Sequence, residues 1–516
     1  MQDLIIRGGL VLDGTGAPGK KADVAVKSGV ITAVGDLHGE HAARVLDASG
    51  AVVAPGFIDA HSHSDTSFLR DSSCASKLFQ GVTTEVSGQC GDSPFPALSP
   101  SPVQPWLCSS FDEFVTRFEA GGHAMAVNQA ILVGHGTLRA AVMGYADRPA
   151  SPEELSQMQE LLRRDLASGA WGLSLGLEYA PGFFADAAEL QALGKVVRGF
   201  DGLIPCHMRS EGLHIREAIE ELAGVSRASG ACVHISHLKL DNFRVHGQAQ
   251  QVWSLIEKLR AEGVRLSADM YPFTASCTSL TIRCPKWSRE GGDEALLSRL
   301  RGAERERIIE GIRTHYFSAE RAETCLFNDD GGLWPEIVGR TLRHVAEAYL
   351  HTTDYAQAAA EVLLRTQARA GCIFFVMDEG DMLFFLGQDV GIGSDGWSLP
   401  ADPEKVGCKP HPRSYAAIPE FFRLAREHEL CSLAEAVRRV TSKAADMIGM
   451  RDRGRLAPGM AADVTVFDPS VIAPRATYLD PVQTAVGVRH VLVGGVPALE
   501  DGRQTDARPG RFLRKR

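Results

Sequence analysis

Short apolar runs separated by glycine-rich turns open the chain. Leu4-Ile5-Ile6-Arg7, Asp23-Val24-Ala25-Val26 and Val30-Ile31-Thr32-Ala33-Val34 read as strands of a small antiparallel β unit. The same texture returns from Gly454, through Asp463-Val464-Thr465-Val466-Phe467 and Val488-Arg489-His490-Val491-Leu492-Val493. The expectation is one small β-sandwich domain built from both termini, residues 1–54 plus 450–516, with a larger domain over residues 55–449 inserted between them.

Inside that larger domain, apolar strands alternate with longer helical stretches, the pattern of repeated βα units around a parallel sheet. Eight strands are expected: Val52 to Ile58, Val82 to Val86, Ile131 to Val133, Trp171 to Leu175, Leu203 to Cys206, Cys232 to Ile235, Arg265 to Ala268 and Gly391 to Gly393. That number predicts an α/β fold of the (β/α)8 barrel type, which carries its site at the carboxyl ends of its strands. The stretch between Pro272 and Val390 is too long for one βα connection. A helical subdomain over residues 285–375 is expected there, before the last barrel strand, including Glu304 to Phe317 and His344 to Ala370. The Pro- and Ser-rich run from Asp92 to Ser110 reads as a loop at the barrel mouth.

Composition narrows the class. With 516 residues and 44% hydrophobic content the chain can bury a large core, and a formal charge of −10 argues against nucleic acid or an anionic membrane as partner. A small-molecule partner fits better. The first residues lack a signal peptide's basic and apolar regions, and no apolar run is long enough to span a bilayer, so a cytoplasmic location is expected. Eleven cysteines in strand-like segments suggest reduced thiols rather than a disulfide frame.

The strand ends carry the chemistry. His61 and His63 follow the first strand, Cys90 the second, His207 the fifth, His237 the sixth and Asp395 the eighth. All are metal-ligand types, and zinc accepts imidazole, thiolate and carboxylate. Side chains two apart in an extended segment point the same way, so His61 and His63 can grip one ion. Taken singly, Cys90 reads as a small buried hydrophobe and each histidine as an ordinary polar residue. The coincidence of six at the ends of five strands points to a metal.

Two motifs mislead. Gly14-Thr15-Gly16-Ala17-Pro18-Gly19 matches the dinucleotide fingerprint, but the following Asp23-Val24-Ala25-Val26 is a strand where the pyrophosphate needs a helix N-terminus. Gly172-Leu173-Ser174-Leu175-Gly176 matches a nucleophile elbow, but a turn-rich run follows it instead of a helix.

With these residues in view, nearly the whole chain resembles the amidohydrolase superfamily and, within it, the D-aminoacylases, or N-acyl-D-amino-acid deacylases. The landmarks are Pro55-Gly56-Phe57-Ile58-Asp59-Ala60-His61-Ser62-His63-Ser64-Asp65, Gly88-Gln89-Cys90-Gly91, His207-Met208-Arg209-Ser210-Glu211, Ser236-His237-Leu238-Lys239 and Gly393-Ser394-Asp395-Gly396. The resemblance implies a tight zinc site at Cys90, His207 and His237, and a second, weaker or empty position among His61, His63 and Asp395. The fourth strand has no lysine of the kind that bridges two metals elsewhere in the superfamily. That weakens the alternative of a cyclic-amide hydrolase such as a hydantoinase. A non-catalytic scaffold relative would be expected to have lost ligands.

The reaction implied is hydrolysis of an N-acyl-D-amino acid to a carboxylate and a free D-amino acid, with Asp395 as the catalytic proton shuttle. The metal would polarise the carbonyl and lower the pKa of water. Lys239, Tyr271 and Arg413 are candidate anchors for the α-carboxylate. Arg283 is the candidate partner of an acidic side chain, with D-Glu or D-Asp as the favoured substrate.

Overall fold

The computed structural model describes residues 1–98, 106–315 and 319–516. The loop expected from Asp92 to Ser110 therefore lies in part outside the described residues, as does the Phe317 end of the first inserted helix. Both chain ends meet in one nine-stranded sheet. Val464–Phe467 runs antiparallel to Val52–Pro55, which is parallel to Gln2–Val11. Alternation along these strands turns Leu4, Ile6, Val24, Val26, Val464 and Val466 into a shared core.

The parallel strands are Phe57–Asp59, Val82–Ser87, Asn128–Ile131 running on into Val133–Gly134, Leu173–Gly176, Leu203–His207, Cys232–Ile235, Leu266–Met270 and Gly391–Ile392. Each pairs in parallel with its neighbour in that order. The two outer members are also tied, by Asp395 N to His61 O at 2.8 Å and His63 N to Gly396 O at 2.9 Å. The helices between strands start on sequence-encoded caps. Ser151 and Glu154 form a capping box ahead of Pro152–Ala167, and Asp186 caps Ala187–Gly199.

Three expectations need correction. The run Val52 to Ile58 is not one strand: Gly56 divides it, with Val52–Pro55 in the terminal sheet and Phe57–Asp59 in the parallel set. A Cβ on Gly56 would meet the Thr83 side chain at 2.2 Å, so the crossing point admits only glycine. The inserted segment is also not purely helical. Ala275–Ser279, Cys325–Asp329 and Gly371–Phe375 form an antiparallel sheet beside helices Gly292–Arg301, Arg305–His315 and Tyr355–Arg365. Short, polar strands such as Ala-Ser-Cys-Thr-Ser give no alternation to read. The helix expected from His344 breaks at His351, whose φ is +52°, and restarts where Asp354 accepts from Gln357 N.

Candidate metal centre

Six side chains converge at the carboxyl ends of the parallel strands. His61, His63, Cys90 and Asp395 form one group of potential ligands and Cys90, His207 and His237 another, so the thiol is common to both. Cys90 Sγ lies 3.4 Å from His61 Nε2 and 3.3 Å from His237 Nε2, and His237 Nε2 lies 3.1 Å from His207 Nδ1. His63 Nε2 is 2.9 Å from Asp395 Oδ1. Bonds of ~2.0–2.3 Å to one ion put its ligands roughly 3–4 Å apart, so these separations fit zinc.

Backbone strain accompanies the convergence. Cys90, His237 and Asp395 have φ of +54°, +38° and +51°. Non-glycine residues rarely adopt that region, and its cost is borne where the surroundings fix it. Around Cys90 they do so tightly: Gly88 and Gly91 flank it, and Gly176 leaves room for its carbonyl, which a Cβ there would meet at 2.0 Å. Ser174, the false nucleophile, is fully buried, and its hydroxyl accepts from Gly91 N at 3.1 Å. It holds the cysteine loop.

In His61, His207 and His237 the ring nitrogen turned away from the centre has a carboxylate beside it. His207 Nε2 donates to Glu178 Oε2 at 2.9 Å, Glu211 Oε1 lies 2.8 Å from His237 Nδ1, and Asp269 Oδ2 lies 3.5 Å from His61 Nδ1. Asp269 also accepts from His237 N at 2.6 Å. Such partners fix ring orientation for ligation. Sequence reasoning missed Glu178 and Asp269, and gave no role to Glu211 although it closes the landmark that begins at His207. Glu178 and Glu211 also follow strand ends, a signal that could have found them; Asp269 sits within a strand and left none.

Electrostatics supports a cation. Burial, then the nearby Asp395, pushes the Cys90 thiol well above its ordinary value, and burial with Lys239 lowers His237 to about 4. The imidazole is thereby neutral and ready to ligate, while the thiol needs a positive ion to lose its proton. Burial opposes ionisation of Asp395, but Arg413 and the neighbouring histidines hold its carboxyl well below the usual range.

Of the predicted anchors, Lys239 and Arg413 line the same cavity of about 1240 Å³, while Tyr271 packs behind them and is not part of its wall. Lys239 Nζ is 2.6 Å from Glu211 Oε2, Arg413 Nη1 is 2.8 Å from Asp395 Oδ2, and Arg413 lies over the Tyr271 ring at 4.9 Å. The Tyr271 hydroxyl is buried without a hydrogen-bond partner among the described residues. Arg283, from the inserted segment, faces the cavity and stacks on Phe374 at 4.2 Å. The dinucleotide-like Gly14 to Gly19 run contributes no residue to the cavity lining and leads into strand Lys20–Lys27.

Known proteins share this arrangement of chain and fold. A sequence profile of the Amidohydrolase family matches residues 44–380 and 390–498. An N-acyl-D-glutamate deacylase of Alcaligenes xylosoxydans xylosoxydans is 34% identical over 99% of this chain and 96% of its own. A D-aminoacylase of the same organism is 34% identical over 99% and 97%. The crystal structure of N-acyl-D-glutamate deacylase from Bordetella bronchiseptica, complexed with zinc and a phosphonate mimic of the tetrahedral intermediate, superposes with a TM-score of 0.83 at 33% identity, covering 99% of both chains. The chain belongs to the amidohydrolase family and, within it, to the D-aminoacylases.

Proposed function

We propose that the protein is a zinc-dependent amidohydrolase that cleaves N-acyl-D-amino acids to a carboxylate and a free D-amino acid. One observation carries the reading: two ligand groups sharing Cys90 open into a cavity that also holds Lys239 and Arg413, with the Tyr271 ring packed under Arg413. The D configuration and the amide substrate follow the relatives named above. The parallel strands are taken to close as a (β/α)8 barrel over residues 55–449. Residues 1–54 and 450–516 form the β-sandwich, and 285–375 the inserted subdomain, whose sheet also takes in the preceding strand Ala275–Ser279. Eleven free cysteines support a cytoplasmic location, and no helix among the described residues is long and apolar enough to cross a membrane.

Cys90, His207 and His237 would hold the principal zinc, with His61, His63 and Asp395 around a second position. Zinc supplies Lewis acidity, polarising the amide carbonyl and lowering the pKa of water. Lys239, Tyr271 and Arg413 bind the α-carboxylate and orient the amide. Asp395 accepts the proton of the attacking water on its carboxylate and returns it to the amine nitrogen as the C–N bond breaks. Arg283 pairs with an acidic side chain, which favours D-Glu and D-Asp.

Replacing Asp395 with Ala tests the scheme. Turnover of N-acetyl-D-amino acids is expected to vanish while zinc at Cys90, His207 and His237 is retained. Activity surviving in that variant sinks the assignment.

A further inference from the structure

The cavity is larger than an N-acetyl amino acid requires, about 1240 Å³ against roughly 300–1,000 Å³ for ordinary small-molecule sites. Its walls also differ in kind from side to side. Lys239, Arg283, Arg369 and Arg413 come from the segments that follow the sixth to eighth parallel strands, where they outnumber the acids Asp241, Asp329 and Asp395 of the same lining. The opposite wall follows the second and third strands and presents Pro94, Pro96, Trp106, Leu107, Ala141 and Tyr145. Among the described lining residues of those two segments, Asp92 is the one charged group, and it is tied down by Thr137 Oγ1 at 3.0 Å.

This polarity orients a substrate. A carboxylated end is drawn to the arginines and the lysine and repelled by Asp92, which leaves the acyl end directed at the apolar wall. That wall is preorganised. Ala141 stands on the helix His135–Met143, and Trp106 is held edge-on to His123 at 5.2 Å with Arg117 over its ring at 5.6 Å. An acetyl methyl buries little of such a surface, whereas each further methylene laid against it leaves water and strengthens binding several-fold.

We propose that the wall formed by Trp106, Ala141 and Tyr145 is an acyl-chain subsite, and that the substrates are N-acyl-D-amino acids with medium-chain acyl groups. The inference rests on the deacylase reading and adds the class of acyl group to it.

The test compares kcat/KM for the N-acetyl, N-hexanoyl and N-decanoyl derivatives of D-glutamate and D-leucine on the zinc-loaded full chain. A rise of roughly tenfold or more from acetyl to decanoyl is expected. In Ala141→Trp, which fills the subsite, and in Trp106→Ala, which removes its edge, the decanoyl-to-acetyl ratio is expected to fall toward one. Zinc content and unfolding midpoint establish that each variant is folded. Equal values for acetyl and decanoyl in the unaltered chain, or a ratio that survives both substitutions, overturns the subsite alone. Hydrolysis of no D-derivative of any chain length overturns the deacylase reading and the subsite with it.

Discussion

Arg413 Nη1 stands 2.8 Å from Asp395 Oδ2, with the arginine 3% and the aspartate 11% exposed at the side chain. The residue proposed to move protons is thus paired with the residue proposed to bind the substrate carboxylate. Replacing Arg413 with Met removes the anchor and leaves Asp395 without its largest favourable charge. Truncating one member of a buried charge pair costs about 2–5 kcal/mol, so kcat/KM is expected to fall by roughly two to three orders of magnitude. Steady-state kinetics together with zinc analysis checks this: the metal stays bound because Arg413 touches no member of the Cys90–His207–His237 group. A variant with undiminished kcat/KM would show that Arg413 serves neither role.

Lys77 is fully buried, donating to Asp59 Oδ2 at 2.6 Å and Ser394 Oγ at 2.8 Å, with Glu85 Oε1 at 3.4 Å. Asp59 in turn accepts from Ser394 N at 2.8 Å and from His61 N at 3.3 Å. One ammonium therefore balances two buried carboxylates and stitches the backbone of the first ligand segment to that of the last. Lys77→Met strands both acids, at a cost of about 3–5 kcal/mol of folding stability. Zinc should also be stripped faster by a chelator, because His61 and the Asp395 turn lose their common tether. Lys77→Met combined with Glu85→Gln should recover part of the stability without restoring metal retention. A single variant that loses stability while holding zinc as tightly as the unaltered chain would reduce Lys77 to a core residue.

Much of the site was legible in sequence because the fold concentrates chemistry at strand ends. His61, Cys90, His207, His237 and Asp395 could be read off one after another once the apolar runs were placed. What escaped is what needs three dimensions. Asp269 lies inside a strand, where nothing local separates a carboxylate that orients His61 and His237 from a solvated one. Lys77 lies in a short helix eighteen residues from Asp59 and 317 from Ser394, so no window contains the network. The left-handed backbone at Cys90, His237 and Asp395 is likewise set by packing, most plainly at Cys90, since non-glycine residues rarely adopt it and cysteine lacks even the modest tolerance of histidine and aspartate. The inserted sheet was missed for a different reason: Ala275–Ser279 is small and polar throughout, and its strand character comes from its partner Gly371–Phe375.

Outside the ligand set, Glu189 accepts from His135 Nε2 at 2.7 Å and is paired with Arg139, whose side chain is fully buried. Burial raises the glutamate's pKa, but His135 and Arg139 outweigh it and hold the carboxyl below its ordinary value. A carboxyl depressed on folding adds stability above its unfolded pKa, ~4.3, and that stability is lost as pH falls through the folded value. Glu189→Gln is expected to unfold at a lower denaturant midpoint at neutral pH. The gap to the unaltered chain should close as pH drops below about 4, where both chains carry a neutral group. Denaturant midpoints measured across that range decide it, and a gap that stays constant would mean that the ion pair contributes nothing.

Arg283 reaches the cavity from the inserted segment, stacked on Phe374 at 4.2 Å, and the cavity wall near it includes Asp241. Burial, with Glu178 and Glu211, pushes the Asp241 carboxyl up to about 6, and Arg283 works in the opposite direction. The arginine's charge is therefore shared with an internal acid before any substrate arrives. An acidic side chain has to compete for it, which sets the size of the preference: a charged hydrogen bond contributes about 1.5–3 kcal/mol, or roughly ten- to a hundredfold in kcat/KM. In the unaltered chain N-acetyl-D-Glu is expected to be hydrolysed better than N-acetyl-D-Leu. Arg283→Leu should abolish that preference by lowering the D-Glu value, and Asp241→Asn should widen it by freeing the guanidinium. Comparing the three chains on both substrates separates the roles. D-Leu preferred over D-Glu by the unaltered chain removes Arg283 from side-chain recognition, whereas a D-Glu preference indifferent to Asp241→Asn removes only the competition.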